Sequence, residues 1–474
     1  MKSLLISLAI VAFVGSPLSA EEKPNLIWIM ADDLGYGDLG CYGQKEIATP
    51  QLDRMAREGL RFTHFYAGAT VCAPSRSVLM TGQHHGHTRV RGNAGQSNAQ
   101  AQALRPDDTT VAKVLQQAGY RTALIGKWGL GDVGAAASGL PRKQGFDEFF
   151  GYLNQVHAHN HFPDFLWRNE EKFPLSNKIT AVGENGGGYA TDARQFADDL
   201  FTDAALKFVA DNKSRPFFLY WNMVIPHANN ERTRALKNGA HVPDFGPYAD
   251  KEWPDPDKGQ AAMISRLDGY VGRMLAALRD LGLAEKTLVI FTSDNGPHNE
   301  SNHSLARFNP SGPFTGIKRS LTDGGIRVPF IAWWPRRIAA GNESDHVAYF
   351  GDWMATAAEL AGGKTPAGCD SISFVPTLEG KPAAQKTHEF LYWEFHEGGF
   401  KQAALYQGRW KGIRSGKPDA PIVLYDQQTD VAEKTNVAAQ YPEIAAKIGA
   451  YLAQARAPSE DWVPIWQTPK KVNK

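Results

Sequence analysis

Two apolar runs, far apart in the sequence, each lead into acidic side chains. In residues 25–30 every position after Asn25 is apolar, and Asp32 and Asp33 follow this run; residues 287–292 are followed by Asp294 and Asn295. Continuous apolar runs are typical of parallel strands that are buried on both faces. Strand patterns alternate with helical patterns between them, which predicts an open α/β sheet that binds its ligands at the carboxyl edge of the strands.

Periodicity and capping residues place the remaining elements. Helices are predicted at residues 50–59, 110–118, 190–211, 261–281 and 353–361, and further strands at 120–125, 216–224 and 328–334. Beyond residue 385 the pattern changes to short strands at 389–395, 402–406, 410–414 and 423–425, with a helix at 442–455. We therefore expect a large mixed, mostly parallel sheet with helices on both faces, and a small C-terminal antiparallel sheet with a helix.

A cysteine motif lies between a glycine-rich approach and a helical stretch. Cys72, Pro74 and Arg76 form the pattern C-x-P-x-R. If Pro74 or Ser75 opens the helix, Cys72 lies just before its N-terminus, where free N–H groups favour developing negative charge. A half-buried structural cysteine is the alternative interpretation, but the acidic clusters elsewhere in the chain favour a functional one.

The two acidic clusters supply three carboxylates and an amide, from Asp32, Asp33, Asp294 and Asn295. A set of oxygen ligands without histidine or cysteine suits a hard cation, Ca²⁺ or Mg²⁺. Taken alone, Asp32 and Asp33 are more simply a turn with a capping carboxylate. Together with the second cluster they predict a cation site, because so much charge at one sheet edge needs to be offset.

Several separated motifs occur in the order found in the type I sulfatases. They are residues 49–59, the C-x-P-x-R stretch 72–76 and the stretch 79–82. On these motifs the chain resembles this formylglycine-dependent family from about residue 24 to about residue 455. The family has an alkaline phosphatase-like fold. The resemblance implies that a formylglycine-generating maturation enzyme oxidises Cys72 to formylglycine (3-oxoalanine), whose hydrated aldehyde is the nucleophile.

The resemblance also implies the roles of individual side chains. The metal ligands, usually of calcium, would be the formylglycine oxygen at Cys72 and the side chains of Asp32, Asp33, Asp294 and Asn295. Arg76 and Lys127 would hold the formylglycine and the sulfate oxygens. His227 and Lys318 would bind sulfate and assist the departing alcohol. Without the resemblance, Lys127 and Lys318 are ordinary loop lysines and His227 is a turn histidine.

This chain departs from the family pattern at two places. Many members have a histidine after Gly-Lys-Trp that is assigned to proton removal, but this chain has Gly129, so the base is another group or water. Gln155 stands near the place of a family serine, and we assign it to substrate binding. His157, His159 and His161 recur at every second residue and would share one face of an extended segment. A zinc site is one interpretation of them, and sugar contact or proton transfer at the rim of the active site, with His159 binding substrate, is the other.

The ends and the charge of the chain limit its location and partners. A basic start, a short apolar run and small residues before Ala20 predict a secretory signal peptide, too short to span a membrane. Lys plus Arg number 51 and Asp plus Glu number 50, so no general attraction to nucleic acid or membranes follows. We divide the chain into a signal peptide (1–20), a catalytic sulfatase domain (21–385) and a small C-terminal α+β subdomain (386–474).

The sequence therefore predicts an exported sulfatase, periplasmic or secreted, that acts on sulfate esters, with a sulfated carbohydrate as the preferred substrate. A phosphodiesterase or phosphonate monoester hydrolase of the same superfold is one alternative. A two-zinc phosphatase would need histidine ligands that His298 and His303 provide only in part. A catalytically silent glycan-binding protein is the alternative from another class. Cys41 and Cys369 either pair or stay free.

Overall fold

The computed structural model describes residues 23–94 and 96–464, so the predicted signal peptide (1–20) lies outside the described residues. The α-helices are α1 (Pro50–Glu58), α2 (Cys72–Thr81), α3 (Val111–Gln117), α4 (Gln155–Ala158), α5 (Ala197–Asp211), α6 (Asn230–Leu236), α7 (Asp255–Asp280), α8 (Leu305–Phe308), α9 (Asp323–Ile326), α10 (Asp352–Leu360), α11 (Val375–Leu378) and α12 (Pro442–Gln454). The strands are β1 (Asn25–Ala31), β2 (Leu60–Phe62), β3 (Phe65–Tyr66), β4 (Arg121–Lys127), β5 (Glu148–Tyr152), β6 (Phe165–Arg168), β7 (Glu171–Pro174), β8 (Lys178–Ala181), β9 (Gly188–Asp192), β10 (Phe217–Asn222), β11 (Thr287–Ser293), β12 (Phe330–Trp333), β13 (Asn342–Ser344), β14 (Ala348–Tyr349), β15 (Phe390–Phe395), β16 (Lys401–Tyr406), β17 (Trp410–Ser415) and β18 (Val423–Asp426).

Ten strands form the main sheet, in the order β13, β2, β12, β11, β1, β10, β4, β5, β6, β7. The central strands β11, β1, β10, β4 and β5 are parallel to one another. At the two ends of this group, β12 is antiparallel to β11 and β6 is antiparallel to β5. All five central strands therefore end at the same edge. The large mixed sheet predicted from the sequence is confirmed.

Both faces of the main sheet are buried, which explains its continuous apolar strands. In β1, Trp28 belongs to one buried cluster, with side chains of α2, α3 and α10, and Ile29 belongs to another, with α1, α5 and α7. Successive strand residues point to opposite faces, so a strand covered on both sides is apolar at every position. The prediction of helices on both faces is confirmed.

The second sheet contains β15, β16, β17 and β18, all antiparallel. Trp393 of β15 is fully buried in the cluster on the main sheet and donates a hydrogen bond from Nε1 to the Ala67 carbonyl at 2.9 Å. Tyr392 lies on the opposite face, where Ile448 and Leu452 of α12 cover it. The predicted small antiparallel sheet with one helix is confirmed, and it is sandwiched between α12 and the main core.

A buried ion cluster joins the small sheet to the main domain. Lys411 Nζ of β17 lies 2.9 Å from Asp323 Oδ1 and 3.6 Å from Glu433 Oε1, and all three side chains are fully buried. Burial alone would raise the pKa of Asp323, but the Lys411 and Arg327 charges lower it to about 2. Burial raises the pKa of Glu433 to about 7. Lys411 thus holds the start of α9, where Asp323 is the first residue.

Several element boundaries differ from the prediction, and the helix predicted at 261–281 begins earlier, at Asp255. The helix predicted at 190–211 begins only at Ala197, because Gly188–Asp192 pairs with β8, and Asp198 and Asp199 occupy the first helical turn, where acidic residues are favoured. Helix α2 begins at Cys72 rather than at Pro74 or Ser75. Pro74 fits within its first turn because the N–H groups there have no partner in the helix.

Two further features concern cysteines and membranes. Cys41 and Cys369 are half-buried free thiols. Within the described part of the chain, no helix combines the length and the apolar character that a membrane crossing requires.

Candidate active site

The acidic residues meet because β1 and β11 are adjacent and in register. Ala31 pairs with Ser293, so the residues that follow each strand come side by side. The Asp33 N–H donates to Asp294 Oδ1 at 3.1 Å, and Asn295 Nδ2 donates to Asp33 Oδ1 at 2.7 Å. These side chains and that of Asp32 are fully buried. The structure thus brings together the two acidic clusters that the sequence indicated.

Cys72 is the first residue of α2 and points at this acidic group. Its Sγ donates a hydrogen bond to Asp32 Oδ1 at 3.3 Å, and only 3% of the residue is exposed. Burial, together with the negative charge of Asp32, raises the pKa of the Cys72 thiol well above its ordinary value. Since the thiolate is the nucleophilic form, an unmodified Cys72 is a poor nucleophile here.

Arg76 and Lys127 hold the acidic edge in place. Arg76 Nη2 lies 2.8 Å from Asp294 Oδ2 and 3.3 Å from Asp32 Oδ2, and Nη1 donates to the Lys127 carbonyl at 3.0 Å. Lys127 Nζ lies 2.5 Å from Asp32 Oδ2. Burial alone would raise the pKa of Asp32, but the charges of Lys127 and Arg76 hold it well below its usual range. Asp32 is therefore a carboxylate at neutral pH.

His227 and Lys318 face Asp33 from the loops after β10 and β11. Lys318 Nζ lies 2.8 Å from Asp33 Oδ2 and 3.3 Å from Glu300 Oε2. His227 donates from Nδ1 to the Ala228 carbonyl at 2.7 Å, and its Nε2 lies 3.2 Å from Lys318 Nζ. Burial and the Lys318 ammonium hold the pKa of His227 well below its ordinary value, so the ring is neutral and Nε2 accepts from Lys318.

A cavity of about 310 Å³ opens at this edge of the sheet. Cys72, His227 and Lys318 line it, and so do Gln155 and His159, the two residues assigned to substrate binding. The structure therefore places the predicted nucleophile and both predicted substrate contacts in one cavity. Arg76 and Lys127 are fully buried and contact the carboxylates of Asp32 and Asp294.

The three alternating histidines have separate environments, contrary to the prediction that they share one face. Helix α4 interrupts the extended segment on which that prediction rested. His157 is buried against the ring of Phe165, with ring centroids 4.4 Å apart. His161 is buried, and its Nδ1 lies 3.1 Å from the His241 carbonyl oxygen. Of the three, His159 lines the cavity, so this arrangement does not support a zinc site made by the three rings.

Glu231, which sequence reasoning missed, orients His159. Its carboxylate Oε2 accepts from His159 Nδ1 at 3.0 Å. The His159 ring also stacks on His227, with centroids 5.0 Å apart and an interplanar angle of 12°. Glu231 lies on α6, which starts three residues after His227, and that closeness in sequence is the signal that would have found it.

The acidic edge fits a divalent cation. Ligand atoms of four side chains lie within 4.8 Å of one another, and they belong to Asp32, Asp33, Cys72 and His227. Among the described residues, Asn295 Oδ1 is buried without a hydrogen-bond partner, so an amide oxygen is available beside them. Burial and the charges of Asp32 and Asp33 raise the pKa of Asp294 to about 7. A cation at this edge would offset that accumulated negative charge.

A second cation is disfavoured beside the first. Asp33, His298 and Glu300 also present ligand atoms within 4.8 Å of one another. However, Lys318 Nζ already lies within 3.3 Å of both carboxylates. Burial alone would lower the pKa of Lys318, but the charge of Asp33 raises it, so Lys318 is an ammonium. His303 Nδ1 lies 2.5 Å from Ser301 Oγ. A two-zinc phosphatase site would have to displace the Lys318 ammonium.

The rim of the cavity contains charged residues that the sequence did not single out. Arg319 pairs with Glu300, and its Nε lies 3.1 Å from Glu397 Oε2. Glu397 belongs to the turn between β15 and β16, so the small sheet contributes to the cavity. Trp393 and Glu394, on the strand before this turn, are fully buried. Arg319 could have been inferred from its position next to Lys318.

Known proteins resemble this chain along most of its length. The Sulfatase family model matches residues 24–363, and a model described as N-sulphoglucosamine sulphohydrolase, C-terminal, matches residues 315–458. The chain is 32% identical to arylsulfatase A of Homo sapiens, over 94% of this chain and 88% of that protein. It is 32% identical to N-acetylgalactosamine-6-sulfatase of Canis lupus familiaris, over 80% of this chain and 69% of that protein.

Solved structures agree with this assignment. Ps i-CgsB, solved in complex with k-i-k-neocarrahexaose, has a TM-score of 0.75 at 26% identity, covering 92% of this chain and 93% of that chain. A sulfatase structure from work on the metabolism of multiple glycosaminoglycans by Bacteroides thetaiotaomicron has a TM-score of 0.75 at 28% identity, covering 92% and 99%. The chain therefore belongs to the type I sulfatases, enzymes of alkaline phosphatase-like fold that hydrolyse sulfate esters.

Proposed function

We propose that this enzyme removes sulfate from sulfated carbohydrates, with formylglycine at position 72 as its nucleophile and one divalent cation, Ca²⁺ or Mg²⁺, at the acidic edge. The observation that carries the proposal is the position of Cys72, which lines the cavity between the acidic edge and the pair His227 and Lys318. The carbohydrate preference rests on the two solved relatives, one bound to an oligosaccharide and the other studied in glycosaminoglycan metabolism.

The need for modification follows from the environment of Cys72. Its thiol has a raised pKa and is protonated at neutral pH, so it cannot attack as a thiolate. Formylglycine supplies a geminal diol instead, with one hydroxyl for displacement at sulfur and a second for the release of sulfate. We further propose that a maturation enzyme forms it and that the signal peptide (1–20) directs export to the periplasm or the exterior.

Lys318 and His227 are placed to act on the sulfate group and the departing alcohol. The buried Lys318 ammonium supplies positive charge at the cavity wall, where negative charge grows on the sulfate oxygens. The proton lies on Lys318 Nζ, which donates to His227 Nε2 at 3.2 Å, so Lys318 can supply a proton to the leaving oxygen while His227 holds its ammonium in place. A cation held by the acidic edge would polarise the nucleophile and the sulfate oxygens.

Product analysis tests this function. Enzyme whose Cys72 peptide carries the mass of formylglycine is expected to release inorganic sulfate from 4-nitrocatechol sulfate and from members of a panel of sulfated sugars. Ion chromatography measures the sulfate. A higher kcat/KM on phosphodiesters or phosphonate monoesters would favour the hydrolase alternative, and the absence of turnover from fully converted enzyme would favour a silent glycan-binding protein.

Cation binding is expected to raise the Tm. Because a cation that binds only the folded state stabilises it, Ca²⁺ or Mg²⁺ at a hundred times its Kd should add about 2.7 kcal/mol to the free energy of unfolding. Asp294→Asn should abolish this gain, since it removes a carboxylate from the acidic edge. Asp211→Asn, which changes an exposed residue of α5, should keep it. Stoichiometric zinc in elemental analysis of the purified enzyme would contradict the proposed oxygen site.

A further inference from the structure

The side chain of Gln155 has an unusual environment in the cavity wall. Its Oε1 and Nε2 are both buried, and neither has a hydrogen-bond partner in the described part of the chain. Gln102, in the same wall, has both amide atoms satisfied, since it accepts from the Ala94 N–H at 2.9 Å and donates to the Gly129 carbonyl at 3.0 Å. Buried polar atoms destabilise a protein unless they are hydrogen-bonded, so the unpaired Gln155 amide in the cavity wall points to a hydrogen bond with a bound substrate.

Gly129 creates the space that this amide fills. Its φ is +84°, and an added Cβ would lie 2.4 Å from Gln155 Nε2. The Gly129 backbone is fixed, because its N–H donates to the Leu153 carbonyl at 3.0 Å and its carbonyl accepts from Gln102. Any side chain at position 129 would therefore displace the Gln155 amide. The Gln155 amide thus occupies the space that a side chain at position 129 would fill.

We propose that Gln155 binds a hydroxyl group on the atom next to the one that carries the sulfate ester, and that Gly129 admits the amide for this purpose. The proposal rests on the sulfatase function proposed above and adds a determinant of its substrate class. Cys72 and Gln155 line the same cavity, and its volume of about 310 Å³ is at the small end for ligand sites, which favours a Gln155 contact close to the sulfate.

The chemistry of the amide selects a hydroxyl. Gln155 presents one acceptor and one donor, and a hydroxyl group can satisfy both because it donates and accepts. A second sulfate or a carboxylate would satisfy Nε2 but would bring negative charge against Oε1. A hydrogen at that position would leave both amide atoms unpaired. The preferred substrate class is therefore a sulfate ester with a free hydroxyl on the neighbouring carbon.

Two aryl sulfates test the proposal, because 2-hydroxyphenyl sulfate (the monosulfate of catechol) and phenyl sulfate differ by one un-ionised hydroxyl next to the sulfate ester. The ratio of their kcat/KM values is measured in the parent and in Gln155→Leu, which keeps the bulk but removes both polar atoms. The two esters differ in the intrinsic reactivity of their leaving groups, but this difference is the same for both enzymes and cancels when the two ratios are compared. We expect the preference for the catechol ester to fall by about tenfold in Gln155→Leu, as for the loss of a hydrogen bond to a substrate hydroxyl.

Coupling between the two positions distinguishes substrate binding from a merely structural role. Gly129→Ala should lower the ratio as Gln155→Leu does, and the double variant should lower it no further. Gln454→Ala, an exposed amide on α12, should leave the ratio unchanged. If Gln155→Leu turns over both esters with the parental ratio, the inference is wrong. If the parent with converted Cys72 releases sulfate from neither ester and from no member of the panel of sulfated sugars, the proposed function fails, and this inference fails with it.

Discussion

Replacing Cys72 by alanine is expected to abolish sulfate release, lowering kcat/KM by about 10⁶-fold, the scale seen when an enzyme loses its nucleophile. The structural cost should be small, because the change removes one buried sulfur whose hydrogen bond goes to Asp32. We expect the Tm to change by less than about 4 °C. Sulfate release and thermal unfolding of the same preparation separate the two effects.

Cys369→Ala is the matched control for this experiment. Cys369 is a half-buried free thiol whose Sγ contacts the Thr81 carbonyl at 3.4 Å, at the end of α2 opposite to Cys72. Its replacement should leave turnover within about twofold, as expected for a change outside the functional site. Undiminished turnover by Cys72→Ala, or by native enzyme whose Cys72 peptide carries only an unmodified thiol, would show that the nucleophile is a different group.

Replacing Lys411 by methionine is expected to lower the free energy of unfolding by about 3–5 kcal/mol. The buried carboxylates of Asp323 and Glu433 would lose the ammonium that lies 2.9 Å and 3.6 Å from them. The uncompensated charge, rather than the lost contact, accounts for most of this cost. Urea unfolding of purified protein measures the change.

An exposed lysine provides the comparison. Lys207 pairs with Asp211 one turn along α5, and its side chain is 75% exposed. Lys207→Met should change the free energy of unfolding by no more than about 0.5 kcal/mol, because solvent screens such pairs. An equally small effect at Lys411 would mean that water reaches the cluster.

Lys411→Met is also expected to reduce activity, since Asp323 begins α9 only five residues after Lys318.

Features that depend on strand order could be predicted from the sequence. Asp32 and Asp294 follow doubly buried strands, and strands of that kind are parallel neighbours whose ends meet, so their convergence did not require a structure. The local pattern also placed Cys72 near a helix start, although the helix begins at Cys72 itself rather than at Pro74 or Ser75. Helical periodicity was also sufficient to predict most of α7, in which the apolar residues Ile264 and Leu267 are fully buried.

Features that depend on tertiary packing could not be predicted. His157 and His161 were expected to share a face with His159, but helix α4 changes the period from two to about 3.6 and separates them. The glycine at position 129 was read as the loss of a base. Its relation to Gln155 is a contact between the loop after β4 and the start of α4, and no local pattern encodes such a contact.

The turn that carries Glu397 has a consequence for how such an enzyme can change its substrate. Gly398 and Gly399 follow it, and an added Cβ at either would meet no described atom within 4 Å. The turn connects β15 to β16, whereas the acidic edge is built on the separate main sheet. Exposed turns of this kind tolerate insertion. Lengthening this hairpin would therefore reshape the entrance while leaving the reacting groups untouched, so substrate range and chemical step can evolve independently.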